Sequence, residues 1–192
     1  KLSVAAKQFP AKALTDVLGH KDFVVDAPID FAADLSGTGD DLQADVSAQL
    51  GSGTANGISF TGAYALFNIR NGLITLQQAS GSRDPYNKVS AHGTIPVSAL
   101  SGGKTGESMD LSLQLDNAGL DVLTFLTPYV TEADGPIQGA VKIGGTLDAP
   151  TVNGDIAVKN GTIKFKDTAY PLANINADLA FKGRSAVLSG SG

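Results

Sequence analysis

The chain contains two versions of one sequence pattern about 107 residues apart, and this internal repeat limits its fold more than any other feature. Six landmarks return in the same order, at offsets between 104 and 110 residues. The pairs are Leu2 and Leu111, Pro28 and Pro136, Gly37 and Gly145, Asp45 and Asp155, Asn56 and Asn160, and Tyr64 and Tyr170. We interpret the chain as two repeat units, residues 1–100 and 108–192, joined by a glycine-rich loop over residues 101–107.

Apolar and polar residues alternate through most of each unit, which is typical of strands with one apolar face. Asn-Gly pairs at residues 71–72 and 160–161 interrupt this alternation, and Asn-Gly is the strongest short-range signal for a hairpin turn. We therefore predict two hairpins in which apolar residues face one another across the turn. The predicted pairs are Ile69–Ile74 and Phe67–Leu76 in the first hairpin, and Val158–Ile163 and Ile156–Phe165 in the second.

Each unit also contains a short stretch with helical spacing, over Ala11–Gly19 and over Gly119–Leu126. Helices of this length persist only when they pack against something, so we expect them to cover an end or an edge of the sheet. The sequence thus predicts an all-β fold with one short helix in each unit.

Composition decides between a closed sandwich and a groove. Alternating Val, Ile and Leu usually form the inside of a closed sandwich. Here there are 23 Gly, eight Phe and no Trp, and many of the alternating positions hold Ala, Thr or Gly. Such small residues favour an elongated, curved, mostly antiparallel sheet whose apolar face lines a groove, and the sequence leaves open whether that groove is open or closed.

Residues that could carry chemistry are few. There is no Cys, and His20 and His92 have no partner at metal-ligand spacing, so we expect no metal and no cofactor. The net charge of −5 argues against a nucleic-acid partner. The turn Gly37–Asp41 is similar to a calcium-binding turn but occurs once, so a plain Gly-Asp turn is favoured. We find no catalytic motif and expect that the chain is not an enzyme.

No apolar run approaches the ~20 residues that would span a bilayer, and the chain begins with Lys1 rather than Met. We therefore expect it to be a middle piece of a longer anchored protein.

The second unit carries strings that match a known pattern, G-x-L-x-x-P-x-x-x-G-x-[ILV]-x-[LV]-x-[ND]-G. These strings are Gly135–Gly139, Gly144–Ile156 and Asn160–Ile163, and they are supported by Tyr170–Ile175 and Gly93–Pro96. Together they resemble the TamB family (translocation and assembly module subunit) within the AsmA-like group of Gram-negative envelope proteins.

The resemblance implies a β-taco, which is a long periplasmic β-groove anchored in the inner membrane. It implies phospholipid acyl chains as ligand, and a TamA- or BamA-like outer-membrane barrel-assembly protein as partner through other parts of the full-length protein. It brings no catalytic residues. If about fifteen strands stack at ~4.8 Å, the groove would be roughly 70 Å long.

Two alternative functions follow from this interpretation. The first is a segment of a groove that conducts phospholipid between the inner and outer membranes and supports outer-membrane biogenesis. The second is a chaperone-like scaffold that templates outer-membrane protein strands by edge addition. The residues expected to line the groove are Val46, Ile58, Phe60, Phe67, Ile69, Ile74, Leu76, Val141, Ile143, Ile156, Val158, Ile163, Phe165, Ile175, Leu179 and Phe181.

Overall fold

The computed structural model describes residues 1–13, 24–38, 41–98, 106–122, 124 and 129–191, and most of these residues lie in strands. The strands are β1 (Leu2–Pro10), β2 (Val25–Asp26), β3 (Pro28–Ser36), β4 (Gln43–Leu50), β5 (Gly53–Ala55), β6 (Ile58–Phe60), β7 (Gly62–Arg70), β8 (Leu73–Asp84), β9 (Asn87–Pro96), β10 (Ser108–Gly119), β11 (Val130–Asp134), β12 (Pro136–Thr146), β13 (Ala149–Phe165), β14 (Leu172–Gly183) and β15 (Ser185–Ser191). A 3₁₀ helix spans Leu120–Val122. Within these residues, no helix is long and apolar enough to cross a membrane.

One long sheet runs through both sequence units. Its order is β1-β3-β4-β7-β8-β9-β10-β12-β13-β14-β15, with β11 paired to β13 beside this path. Every pairing is antiparallel, and β1 and β15 do not pair with each other, so the sheet is open. This confirms the all-β, groove-forming fold class. The division into residues 1–100 and 108–192 stays a prediction.

The expected stack of fifteen strands is wrong, because four short strands leave the long path. Strands β2, β5 and β6 form a separate small sheet, and β11 pairs only with the end of β13. Eleven strands remain in succession, and at ~4.8 Å for each spacing they extend for about 48 Å.

The repeat is visible as the same irregularity at two places. The pairing of β1 with β3 shifts register between Ala6 and Phe9, and the pairing of β10 with β12 shifts between Leu115 and Ala118. A residue with positive φ lies in each bulge, Gln8 at 53° and Asn117 at 51°. Bulges bend and twist a sheet locally, so the chain bends at the corresponding strand of each unit.

The hairpin predicted at residues 71–72 is confirmed, since Ile69 pairs with Ile74 and Phe67 with Leu76. Asn71 and Gly72 have φ of 51° and 73°, as a type I′ turn requires at both central positions.

The hairpin predicted at residues 160–161 is wrong, because both residues lie inside the single strand β13. Val158 pairs with Ile137 and Ala177, and Ile163 pairs with Ala133 and Leu172. Asn160 has φ of 52°, but Gly161 does not have positive φ, so the pair makes a bulge instead of a turn.

Two groups of residues cover parts of the apolar face of the long sheet. The first cover consists of Ala11 and the small sheet β2-β5-β6, and it packs against side chains of β3 and β4. The second cover consists of the 3₁₀ helix and β11, with Leu120 and Val130 buried. The predicted helix over Ala11–Gly19 lies outside the described residues from residue 14 onward. The one over Gly119–Leu126 is described only as the 3₁₀ helix and residue 124.

Candidate functional site

Rows of apolar side chains cross the long sheet from strand to strand. Residues paired across neighbouring strands project from the same face, so the pairing register shows which side chains share a face. One row is Val4, Ala33, Val46, Phe67, Leu76, Gly93, Leu111, Ile143, Val152 and Gly183. The next row is Ala6, Phe31, Ala48, Ala65, Ala79, Ala91, Leu113, Val141, Gly154, Phe181 and Ala186.

A third row reaches the end of the sheet that carries the two covers. It is Phe9, Ile29, Leu50, Ala63, Gly81, Val89, Leu115, Gly139, Ile156, Leu179 and Leu188. A shorter row, Leu2, Leu35, Ala44, Ile69, Ile74 and Ile95, lies at the other end. We call these four rows the apolar face. None of their members is polar, so the face is apolar over the whole length of the sheet.

Most of the apolar face is only half-buried. Among the described residues, the buried apolar side chains concentrate near the two covers, as Val25, Ile29, Ala118 and Leu120 show. Phe67 and Leu76, which lie between the covers, are intermediate in exposure. A sandwich would bury such positions under a second sheet about 10 Å away. The structure therefore presents its apolar rows to the surroundings instead of packing them in a core.

A depression with a volume of about 340 Å³ lies on the middle of the sheet, from β4 to β9. Its lining is Ala48, Leu50, Ala63, Tyr64, Ala65, Ala79, Ser80, Gly81, Val89, Ser90 and Ala91. Most of these belong to the apolar face, and four are consecutive alanines of its second row. The depression arises because small side chains follow one another on adjacent strands, between Phe31 on β3 and Leu113 on β10.

The structure places most of the residues predicted to line a groove on this face. They are Val46, Phe67, Ile69, Ile74, Leu76, Val141, Ile143, Ile156, Leu179 and Phe181 in the rows, and Val158, Ile163, Phe165 and Ile175 on the same side beyond the third row. Ile58 and Phe60 lie instead in β6 of the first cover, where Phe60 packs against the buried cluster. Contact of any of these residues with lipid stays a prediction.

Sequence reasoning missed the floor of the depression. Ala63 and Ala65 alternate with polar or bulky residues on β7, as do Ala79 and Gly81 on β8. The period of two was therefore present. It was not recognised as apolar because Ala and Gly carry little weight in a hydrophobic pattern.

The opposite face of the sheet is polar. Its central row is Ser3, Asp34, Asp45, Asn68, Thr75, Thr94, Asp110, Gly144 and Thr151. Cross-strand ion pairs join Arg70 to Asp45 at 2.6 Å and Lys142 to Asp110 at 3.2 Å. Exposed pairs of this kind are worth little energy, so the polar face serves mainly to keep that side hydrated.

The groups that could support catalysis or metal binding are dispersed. His92 is exposed on the polar face opposite Ser112, and His20 lies outside the described residues. In the Gly37–Asp41 turn, residues 39 and 40 also lie outside them. Among the residues that the structure describes, no three His, Cys, Asp or Glu side chains are grouped to hold a metal ion.

Among the residues that the structure describes, Asp84 is the one whose pKa the fold clearly shifts. The backbone N–H of Tyr86 donates to its Oδ1 at 2.7 Å, and the Asn87 side chain and backbone N–H donate as well. These bonds favour the carboxylate and hold the pKa of Asp84 below its usual value. These hydrogen bonds close the β8–β9 turn.

Comparison with known proteins gives one match. A family model described as the TamB C-terminal domain matches residues 77–191, which is more than half of the 192-residue chain. The matched part runs from β8 to β15 and includes the second cover. No curated protein and no solved structure gave a significant match.

Proposed function

The chain belongs to the TamB family, a family of envelope assembly, and on that premise we propose that its apolar face conducts phospholipid between the inner and outer membranes. The acyl chains would lie along the rows of the long sheet and the headgroups would remain in water. In this proposal the chain is a periplasmic part of an inner-membrane-anchored protein of a Gram-negative bacterium. It acts without catalysis, metal or cofactor.

The continuity of the apolar rows is the observation that supports the proposal. Two of the rows include every strand of the eleven-strand path, from Ala6 to Ala186 and from Phe9 to Leu188. No polar residue interrupts either row, so an acyl chain would meet no barrier as it moved from strand to strand. The half-buried apolar side chains that neither cover reaches leave room for such an occupant.

Energetics favour an acyl chain over water on this face. Burying a methylene group gains about 0.8 kcal/mol, and similar sites repeat at every strand spacing of ~4.8 Å. A ligand would therefore hold to the face as a whole while exchanging readily between neighbouring positions. That combination suits transport better than storage.

The proposal extends to a partner through the family. An outer-membrane barrel-assembly protein, TamA- or BamA-like, would receive the far end of the full-length protein and support outer-membrane biogenesis. The alternative function, templating of outer-membrane protein strands, uses the backbone of an edge strand and not the apolar face.

Two neighbouring residues of β7 offer a matched test. Ala65 lies on the floor of the depression, whereas Leu66 pairs with Ser47 on the polar face. Both are intermediate in exposure. In the full-length protein, Ala65→Asp places a carboxylate in the path of the acyl chains, and Leu66→Asp places the same carboxylate in water.

We expect Ala65→Asp to impair the outer-membrane barrier, measured as sensitivity to detergent and to large antibiotics, and Leu66→Asp to leave it intact. Equal protein levels on immunoblots make the comparison valid. Normal function of Ala65→Asp would contradict conduction and would agree with strand templating, because β7 lies in the interior of the sheet and its edges would be unchanged.

A further inference from the structure

The depression in the middle of the apolar face is bounded at both ends. Its floor includes the four consecutive alanines of the second row, one on each of β4, β7, β8 and β9. At the β4 end, Ala48 packs against the first cover, and Phe31 follows in the same row. At the β9 end, the next residue of the row is Leu113. Four strands at a spacing of ~4.8 Å make this floor about 14 Å long.

The space above the floor is empty, and one long side of it carries large side chains. Gly81 lines the floor without positive φ, so the backbone there does not require glycine. A Cβ at Gly81 would have one neighbour within 4 Å among the described residues, the Cβ of Ala63 at 4.0 Å. In the adjoining first row, β7 and β8 hold Phe67 and Leu76. The depression is therefore an elongated trough that runs across the strands, in the direction of the rows.

We propose that this trough is a seat for one unbranched alkyl chain, where an amphiphile moving along the apolar face stops. This inference rests on the proposed function and specifies the ligand segment that binds most tightly. No charged residue is among the described residues that line the trough. A cavity of ~150 Å³ holds benzene, so a volume of about 340 Å³ corresponds to about a dozen carbon atoms. The elongated shape fits a linear chain better than a ring.

The seat would make one position unlike the rest of the apolar face. Where the rows hold large residues, an alkyl chain contacts the sheet from below only. In the trough it is also enclosed at both ends and along one side, so more of its surface leaves water. A larger apolar side chain on the floor should therefore weaken binding, although it makes the face more apolar. On a uniform apolar face the same substitution would strengthen binding or leave it unchanged.

A series of alkyl maltosides measures the length of the seat. Octyl, decyl, dodecyl and tetradecyl maltoside carry the same neutral head, and each is titrated calorimetrically onto the full 192-residue chain below its micellar concentration. We expect the affinity to rise about tenfold for each two carbons up to dodecyl, because each buried methylene adds a similar free energy. From dodecyl to tetradecyl it should change less than about twofold, since the added carbons extend beyond the seat.

Two variants fill the trough, and a third is the matched control. Ala65→Leu and Gly81→Val add apolar volume on the floor, the second without backbone strain or collision. Ala32→Leu adds a leucine at an exposed position opposite Ser47 on the polar face. We expect each filled variant to bind dodecyl maltoside about tenfold more weakly, and Ala32→Leu to bind it as the unmodified chain does. Circular dichroism of each variant establishes that the sheet is intact.

Equal or tighter binding of dodecyl maltoside by both filled variants would overturn the seat but leave conduction along the apolar face standing. A continued tenfold rise from dodecyl to tetradecyl would also overturn it. Dimerisation of the ligand-free chain that Ala65→Leu abolishes would assign the trough to a second copy of the chain instead. Failure of every maltoside to bind the unmodified chain would refute the seat and the proposed function together.

Discussion

Gly93 and Gly154 lie on the apolar face with positive φ, 139° and 126°, and each faces a large apolar residue on both neighbouring strands. A Cβ at Gly93 would collide with the backbone carbonyl of Asp110, and one at Gly154 with that of Ala140. These glycines therefore permit both an unusual backbone and a close approach of strands. Neither constraint can be inferred from the sequence, because a strand can require a glycine for several different structural reasons.

Substitution of glycine by alanine separates the two constraints. Gly72 has φ of 73°, and a methyl group there would meet no atom within 4 Å, so Gly72→Ala adds backbone strain alone. We expect it to lower the free energy of unfolding by about 1 kcal/mol. Gly93→Ala adds the collision with Asp110 and should cost about 3 kcal/mol or more. Urea denaturation of the two variants measures the difference. Equal losses in the free energy of unfolding would show that the close approach of the strands at Gly93 adds nothing to the cost of the methyl group.

Asp84 gives a pH-dependent prediction at the same scale. Its pKa in the folded chain lies below its usual value of about 3.9, chiefly because the Tyr86 backbone N–H donates to the carboxylate. A depressed folded pKa contributes stability that is present above the unfolded pKa and is lost as pH falls through the folded pKa. The β8–β9 turn should therefore loosen below about pH 4.

Amide hydrogen exchange of Tyr86 and Asn87 checks the loosening of the turn. Asp84→Asn serves as the control, since it removes the titration, and its exchange pattern should be flat over the acidic range. An identical acid response in the unmodified chain and in Asp84→Asn would assign the change to other carboxylates.

At the scale of strands and turns, the sequence predicted strand pairing correctly only where the turn residues alone set the register. The turn at residues 71–72 joins consecutive strands, and its register followed from the sequence. At residues 160–161 the same two residue types lie within β13, because β12, β14 and β11 all pair with that strand. The small sheet β2-β5-β6 was also not predicted, since β2 is separated from β5 by β3 and β4 in the chain. Tertiary pairing overrides local preference in both cases.

The repeated bulge leads to a prediction at this scale. Gln8 occupies it in β1 with φ of 53°, and Asn117 occupies the corresponding place in β10. Asn adopts this left-handed conformation more easily than Gln does. Gln8→Asn should therefore raise the free energy of unfolding by about 0.5 kcal/mol, as measured by urea denaturation, whereas Asn117→Gln should lower it by a similar amount. Changes of the same sign in both variants would contradict the equivalence of the two bulges.

At the scale of the whole molecule, a single sheet has one hydrated face and one apolar face that most of the chain leaves half-covered. The apolar–polar alternation of the sequence predicted these two faces, and the small number of aromatic residues favoured a groove. The four-alanine floor became apparent only from the pairing of β4 to β9, because residues far apart in sequence make up each row.

Site-specific photocrosslinking in living cells tests most directly whether the apolar face carries acyl chains. The photoreactive residue replaces Leu76 on the apolar face or, as a matched control on the same strand, Gln78. A register shift between Leu76 and Ala79 breaks the alternation of β8, so Gln78 pairs with Leu66 on the polar face. We expect phospholipid adducts at position 76, identified by mass spectrometry, and none at position 78. Protein adducts without lipid at position 76, or equal lipid labelling at both positions, would contradict conduction along the apolar face.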